Sequence, residues 1–363
     1  MKKVLCVVAS LNAGGAETFL MKLLRCIDKS EYMMDFIVSA PGIYDEEVTS
    51  LGGKIYRVPL RTEHPIKTFN QIRTIVKKNK YNNFLKLCDT PIGVFDLLAA
   101  KMGGATHISV RSCNASSNTS KKKEMMYSIL RPMFNALSDC KIAPSDLAAE
   151  YTFGEKCFRN GSVKKLNNGI DLSVYKFDEK ARKAIRNEYE ITEDTEVLGH
   201  IGRFNQQKNH IFLIDIFNNY HKMKPNSKLL LVGNGELIEK VHKYVKNLGL
   251  DEYVIFAGIK KNIPQILSAM DCFILPSFYE GMPNTVIEAQ ATGLPCVISD
   301  TITREANITG LVQYISLNES FEQWTKIINE QILKSRENVQ DSIFRAGYDI
   351  QSVVREFEKN IFE

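Results

Sequence analysis

The sequence predicts an α/β protein made of two doubly wound, parallel-sheet domains. Short apolar, β-branched runs alternate with longer segments of helical period along most of the chain. The alternation stops once, in a polar, turn-rich stretch near the middle, and then restarts. At 363 residues and 44% hydrophobic composition, the chain exceeds what one core usually holds, so two domains of roughly 150 to 200 residues are expected.

The elements follow in order. VLCVVA (Val4 to Ala9) reads as a strand before a helix from about Ala16, FIVSA precedes a helix near Asp45, and KIYRVPL precedes HPIKTFNQIRTIVKKNK. FLKLC, HISVRS and CKIAPS alternate with helices that begin near Pro91, Lys121 and Asp146. Such a βαβ series implies a parallel sheet covered on both faces. The segment Phe158 to Tyr175, with Asn-Gly at 160–161 and 168–169, marks the boundary, giving domains of 1–170 and 171–344. The second half runs EVLGHIGRF, HIFLIDIFNNYHKM, KLLLVGNGE, LIEKVHKYVKNLG, VIFAG, IPQILSAM, CFILPS, the Glu288 helix and PCVIS. The final segment, SIFRAGYDIQSVVREFEKNIFE, has helical apolar spacing, and a helix at about 345–363 is free to cap or cross a domain, packing back on the first.

Composition narrows the class. Eight cysteines without a C-x-x-C pair, three of them (Cys6, Cys272, Cys296) inside strand-like runs, suit a reduced, cytosolic chain. MKKVLCVVAS has the charge of a signal peptide, but its apolar run stops at Ala9 and reads as a first strand. No stretch approaches the ~20 apolar residues that span a bilayer, so any membrane contact is peripheral. The net charge of +5 hides an asymmetry: residues 1–170 hold 25 Lys+Arg against 15 Asp+Glu, the remainder 22 against 27. A basic half attracts nucleic acid, anionic lipid or phosphorylated substrates. The cations are scattered except for Lys121 to Lys123, a triplet that suits a solvated helix start or a lipid-facing patch.

In open α/β sheets ligands bind beyond the carboxyl ends of the strands, so the loops there hold the candidate residues. SLNAGGAET (Ser10 to Thr18) places Gly14 and Gly15 between the first strand and its helix, where backbone N–H groups can approach a phosphate. It lacks the dinucleotide spacing, and a tight structural turn explains it equally. GRFNQQKNH (Gly202 to His210) sets Arg203 and Lys208 in one strand-to-helix loop, a pair suited to a diphosphate or to ordinary surface charge with Asn209 as helix cap. His200 and His210 read as structural. In LPSFYEGMPNTVIEAQA, the amides of Gly281 and Met282 lie at a helix start, with Glu280 at the mouth and Glu288 two turns on. Two carboxylates can grip the paired hydroxyls of a sugar nucleotide, or they are a helix-start charge and a surface residue.

Taken together, GRFNQQKNH, LLVGNGE and LPSFYEGMPNTVIEAQATGLPCVISD resemble the retaining glycosyltransferases of family 4, and GGAE and LNNGID extend the likeness along the chain. The resemblance implies the GT-B fold, two Rossmann-like domains around a cleft. It further implies that Glu280 and Glu288 form an E-x7-E motif on donor sugar and ribose, that Arg203 and Lys208 hold the diphosphate, that Gly15 lies near the phosphate and transferred sugar, and that the loop around Ile259 seats the base. Retention by front-face attack is implied, with no metal and no cofactor beyond the nucleotide sugar. The implied partners are a nucleotide-sugar donor and a saccharide or lipid-linked saccharide acceptor of cell-surface polysaccharide synthesis, with an anionic membrane surface as a further contact and no nucleic acid. The protein is then cytoplasmic, peripheral at the inner face of the membrane. One departure stands out: RSCN (Arg111 to Asn114) replaces a histidine-containing segment, leaving Arg111 for an acceptor phosphate or a structural ion pair. His107 reads as packed. A nucleotide-sugar epimerase of the same fold and a non-catalytic nucleotide-sugar-binding subunit are the competing readings.

Overall fold

The computed structural model describes residues 1–12, 14–88, 90–113 and 120–362. The chain divides into two compact units, Met1–Gly169 with Gly347–Glu363, and Ile170–Ala346.

In the first unit, β1 (Lys2–Val7), β2 (Tyr32–Val38), β3 (Ile55–Arg57), β4 (Asn83–Leu87), β5 (His107–Arg111), β6 (Cys140–Ala143) and β7 (Val163–Lys165) alternate with α1 (Gly15–Cys26), α2 (Asp45–Ser50), α3 (Pro65–Asn79), α4 (Val94–Gly103), α5 (Lys121–Leu137), α6 (Asp146–Phe153) and α7 (Glu155–Arg159). Among the described residues these strands form one seven-stranded sheet in the order β3-β2-β1-β4-β5-β6-β7, parallel at every pairing. Successive strand residues point to opposite faces, so Val4 and Cys6 join the apolar cluster with α1, while Leu5 and Val7 join the one with α3 and α4. The short β7 lies inside, and α7 runs into, the polar segment that sequence periodicity reads only as turns, because neither is long enough to show a period.

The second unit begins with α8 (Glu179–Glu188) and continues through β8 (Glu196–Ile201), α9 (His210–Met223), β9 (Ser227–Val232), α10 (Ile238–Asn247), β10 (Val254–Gly258), α11 (Ile263–Ala269), β11 (Cys272–Leu275), α12 (Asn284–Ala291), β12 (Cys296–Ser299), β13 (Val312–Ile315), α13 (Phe321–Ile332) and α14 (Gln340–Arg345). Its six described strands run β10-β9-β8-β11-β12-β13, again all parallel. Trp324 and Ile328 of α13 are fully buried against Leu213, Phe217 and Val297. At the amino end of β11, Asp271 accepts from Arg182, Arg186 and the Val197 N–H, each at 2.7 Å. This partly buried anchor holds α8 to the sheet.

The last stretch is two helices rather than the single one its apolar spacing suggests. Gly347 adopts φ 74° between α14 and α15 (Ile350–Phe362), a conformation that favours glycine and ends the first helix. α15 returns to the first unit, where Val353, Phe357 and Ile361 join the cluster of Leu20, Leu24 and Ile27. The rings of Phe362 and Tyr32 stack at 4.6 Å. The Lys2 ammonium donates to the Phe362 carbonyl at 3.1 Å, capping a helix end whose last carbonyls lack helical donors. No disulfide joins the cysteines among the described residues, and burial pushes the thiols of Cys6, Cys272 and Cys296 upward. They act as small apolar side chains.

Phe357 is fully buried at the centre of this returning helix. Phe357→Ala is therefore expected to lower the stability of the first unit by about 3 to 5 kcal/mol, read as a fall in its urea midpoint, with the second unit's transition unmoved.

Candidate active site

In the second sheet β8 has β9 on one side and β11 on the other, and the chain leads from β8 to β9 but from β11 to β12, in the opposite direction. The loops after β8 and β11 consequently diverge at a topological switch point, which is where open α/β sheets leave room for a ligand.

The loop after β8 is shaped by backbone bonds. The Gly202 N–H donates to Val232 O at 2.9 Å, Phe204 N–H to Asn234 O at 3.0 Å and Leu237 N–H to Phe204 O at 2.9 Å, laying it against the GNGE turn after β9. Gly233, at φ 137°, makes this approach possible, because a Cβ there would overlap the Gly202 carbonyl. Asn205 Oδ1 accepts the Lys208 N–H at 3.1 Å, and Asn209 then enters α9 in the left-handed region. The Asn209 side chain makes no capping bond, so this residue turns the chain without capping the helix.

The geometry aims Lys208 across to the other loop. Its stem passes over Gly202, and its ammonium meets Glu280 Oε1 at 2.6 Å. Gln207 donates to the second carboxylate oxygen at 3.2 Å and to Tyr279 O at 2.9 Å, while the Phe278 N–H donates to Gln207 O at 2.9 Å. Both Glu280 oxygens are thereby held, and the residue is only 8% exposed. Gln207 carries no sequence signal of this role: a glutamine beside a lysine in a loop is ordinary until the opposite loop is folded against it.

Arg203 behaves differently. Its side chain is 71% exposed and pairs with Glu236 at 3.2 Å, so the two cations of one loop serve two carboxylates. A surface pair of this kind contributes little to stability. Glu288 lies buried in the second turn of α12. Gly281 and Met282 are buried, but α12 starts at Asn284, so their amides precede the helix rather than forming its first turn. Ile259, after β10, is 65% exposed. The buried hydroxyl of Ser277 and that of Thr285 flank Glu280 in sequence and have no hydrogen-bond partner among the described residues.

Beneath Lys208 lie two buried histidines. The His200 Nδ1–H donates to Ile274 O at 2.9 Å, which leaves Nε2 as an acceptor; His210 stacks on Phe204 at 4.0 Å and meets His200 edge-on at 4.8 Å. Burial, reinforced by His210 and Lys208, holds His200 well below its usual range, and burial with the nearby Lys208 charge brings His210 to about 4. Both are neutral at pH 7. They form an uncharged floor under a charged pair.

In the first unit, Gly15 is the first residue of α1. Arg111 ends β5 buried, its guanidinium 3.8 Å over the Phe19 ring and bonded to Asn168 Oδ1. Asn114, the last residue of the RSCN stretch, lies outside the described residues. At the carboxyl end of β4, Lys86 and Arg61 both pair with buried Asp96, and burial lowers Lys86 to about 8. That triad escaped sequence reasoning, since its members lie far apart in the chain.

Comparison with known proteins decides the family. The family described as "Glycosyl transferases group 1" matches residues 181–343. EpsF of Bacillus subtilis (strain 168), a glycosyltransferase by name, is 32% identical over 97% of this chain and 94% of its own. The chain belongs to the group 1 glycosyltransferases. The UDP-Gal:α-D-GlcNAc-diphosphoundecaprenol α-1,3-galactosyltransferase of Escherichia coli is 28% identical over 65% of this glycosyltransferase and 62% of its own chain. The crystal structure of Anabaena HepE in complex with UDP and glucose covers 99% of both chains with a TM-score of 0.80 at 18% identity. That likeness shows the fold alone, and the fold is GT-B.

Two outcomes follow for this glycosyltransferase. A double-mutant cycle of Lys208→Met and Glu280→Gln should give a coupling energy of about 1 to 3 kcal/mol in urea unfolding; additive effects would contradict a direct pair. Between the unfolded histidine value of 6.5 and the native value of about 4, the unfolded chain binds a proton that native His210 refuses. Stability therefore falls as pH drops through that window, by about 3 kcal/mol at most for this residue. His210→Phe should flatten the fall, seen in urea midpoints compared at neutral and acid pH; an unchanged slope would exclude His210 as its source.

Proposed function

We propose that this glycosyltransferase moves a hexose from a nucleotide diphosphate sugar to a saccharide acceptor, with retention at the anomeric carbon, in the synthesis of a cell-surface polysaccharide. The observation that carries the reading is the Lys208–Glu280 pair, which joins a cation suited to phosphate and a carboxylate suited to sugar hydroxyls at the switch point of one sheet.

In this reading the donor exchanges the partners of that pair. Its diphosphate takes the Lys208 ammonium, its sugar hydroxyls take the Glu280 carboxylate, and Gln207 keeps that carboxylate oriented as Lys208 turns away. Arg203, whose side chain is exposed, leaves Glu236 for the same diphosphate. Glu288 holds the ribose, and Ile259 borders the base. The bond from the anomeric carbon to the diphosphate breaks, the acceptor oxygen bonds that carbon on the same face, and its proton passes to the departing phosphate. Lys208 and Arg203 offset the charge that develops on the leaving group, so the chain's own cations supply the stabilisation, without a metal or other cofactor. In the first unit, Gly15 is the residue assigned to the donor's phosphate and transferred sugar, and Arg111 the one assigned to an acceptor phosphate.

A lipid-linked saccharide is the acceptor we favour, because the Escherichia coli relative is named for a diphosphoundecaprenol substrate. No described helix is long and apolar enough to cross a membrane, which fits a protein acting from the cytoplasm at the inner membrane face. The epimerase and the non-catalytic subunit have no observation in their favour.

Lys208→Ala is expected to lower kcat by ~100-fold, as for loss of one oxyanion donor. Glu288→Ala should instead raise donor KM, since ribose contacts are equal in ground and transition states. Steady-state kinetics, after thermal-shift screening of UDP, GDP and ADP sugars has found the donor, separate the two. Near-normal turnover in the lysine variant would remove Lys208 from the chemistry, and interconversion of the donor without acceptor would favour the epimerase.

A further inference from the structure

β3 is an edge strand of the first sheet, and between it and α3 runs an open groove of about 1000 Å³. α3 turns Thr68, Ile72 and Val76 into the core and gives the groove a different side. Lys67, Asn70, Gln71 and Thr74, spaced at i, i+3, i+4 and i+7, line it from one face of the helix. Tyr56 and Arg57 form the strand wall, and Ile66, 77% exposed, adds an apolar patch at the helix start.

The walls are fixed. The Tyr56 hydroxyl lies 3.0 Å from that of Tyr81, which donates to Asp35 at 2.5 Å. The Thr68 hydroxyl donates to Pro59 O in the loop after β3 at 2.8 Å, and Arg61 of the same loop pairs with buried Asp96. A groove held ready in this way costs less to fill than one that must be assembled. Its mouth, at Glu63 and His64, lies beyond the carboxyl end of β3. On the same edge of the sheet Gly15 begins α1 and Arg111 ends β5.

The lining is rich in hydrogen-bonding groups and poor in net charge. Arg57 is answered by Asp45 at 2.6 Å, and Glu63 and Lys67 supply one charge of each sign. Asn70 carries an amide with donors and an acceptor, and Thr74 keeps its oxygen lone pairs after donating to Asn70 O at 2.7 Å. Gln71 Oε1 is buried without a hydrogen-bond partner among the described residues. Leaving such an oxygen unpaired is costly, which favours a ligand that brings hydroxyl donors.

We propose that this groove binds the trailing sugars of an oligosaccharide acceptor, with the sugar to be extended at the carboxyl edge of the sheet and its predecessors laid along α3. The acceptor class is then a neutral saccharide several units long, and the proposal rests on the transferase reading above. A sugar ring has hydroxyls around its rim for Asn70, Gln71 and Thr74, and a C–H face for Ile66 and Tyr56. Other occupants fit less well. A phosphate or nucleic acid needs a surplus of cations that the groove lacks. A peptide adding to the sheet finds only the three residues of β3 to pair with, short for a stable ladder. Two copies paired antiparallel through β3 would set the acidic α2 of each against that of the other.

The test is retention of the full chain on an array of bacterial surface-polysaccharide fragments of graded length, from single sugars upward. Binding is expected to oligosaccharides and not to their single sugars. Asn70→Ala/Gln71→Ala should weaken it roughly 10-fold or more, through the loss of two hydrogen-bonding side chains. Thr74→Trp, at an exposed position, should abolish it by filling the groove. Asn247→Ala/Gln351→Ala, which removes the same amides from exposed faces of α10 and α15, should bind as the parent does. The proposal is overturned if the parent is retained on no oligosaccharide, if single sugars bind equally, or if the groove variants bind as the parent does. A dimer in sedimentation equilibrium that Thr74→Trp dissolves would assign the groove to a second copy and overturn it too. Donor binding is read separately, as thermal shift with the UDP, GDP and ADP sugars. Groove-dependent retention without any donor shift refutes the transferase reading and leaves a saccharide-binding groove; a donor shift without retention refutes the groove alone.

Discussion

A strand that must pair parallel to the strand before it cannot turn back on itself; it has to return across the sheet through a connection long enough to hold a helix. Every strand pairing described in this chain is of that kind. Two consequences shape the molecule. All loops that leave the carboxyl ends of one sheet gather at one edge, and both sheet faces are covered, so the strands are apolar on each side. Residues far apart in sequence are then neighbours if they follow adjacent strands. Lys208 and Glu280 are 72 positions apart and bonded because β8 and β11 are side by side.

That pair is costly to assemble and difficult to lose. Removing two charges from water is repaid only when the geometry is close and the remaining hydrogen-bonding capacity is filled. Gln207 fills it on the carboxylate, and the neutral His200 and His210 beneath add no competing charge. Protonating either histidine would place a cation under Lys208, which is the same repulsion that helps keep them neutral. A ligand carrying phosphates and hydroxyls can replace each partner in kind, which a purely structural ion pair in a dry core could not allow.

The first unit shows the other use of the same architecture. Its sheet is sandwiched between a layer containing α1, α2 and α15 and one containing α3 to α5. α15 comes from the far end of the chain, and its terminal carbonyls are met by Lys2 and its Asn360 side chain by Lys164, so both ends of the sequence are secured in one unit. The opposite layer carries the cations.

Periodicity and punctuation alone determined the α/β class, the restart near residue 170 and nearly every strand of both sheets, because hydrophobic spacing reports local geometry directly. They also picked out Lys208 and Glu280, since polar residues just after apolar strands are conspicuous. The short β7, the break at Gly347 and the start of α12 at Asn284 were not legible, being set by a few hydrogen bonds rather than by a period. Only the folded chain decided which charge meets which: Arg203 to Glu236 and Lys208 to Glu280, with Gln207 as the brace. It also decided that Asn70, Gln71 and Thr74 would line one groove with Tyr56. Those outcomes depend on strand order and on which face each helix covers, and neither is written in the local pattern of any segment.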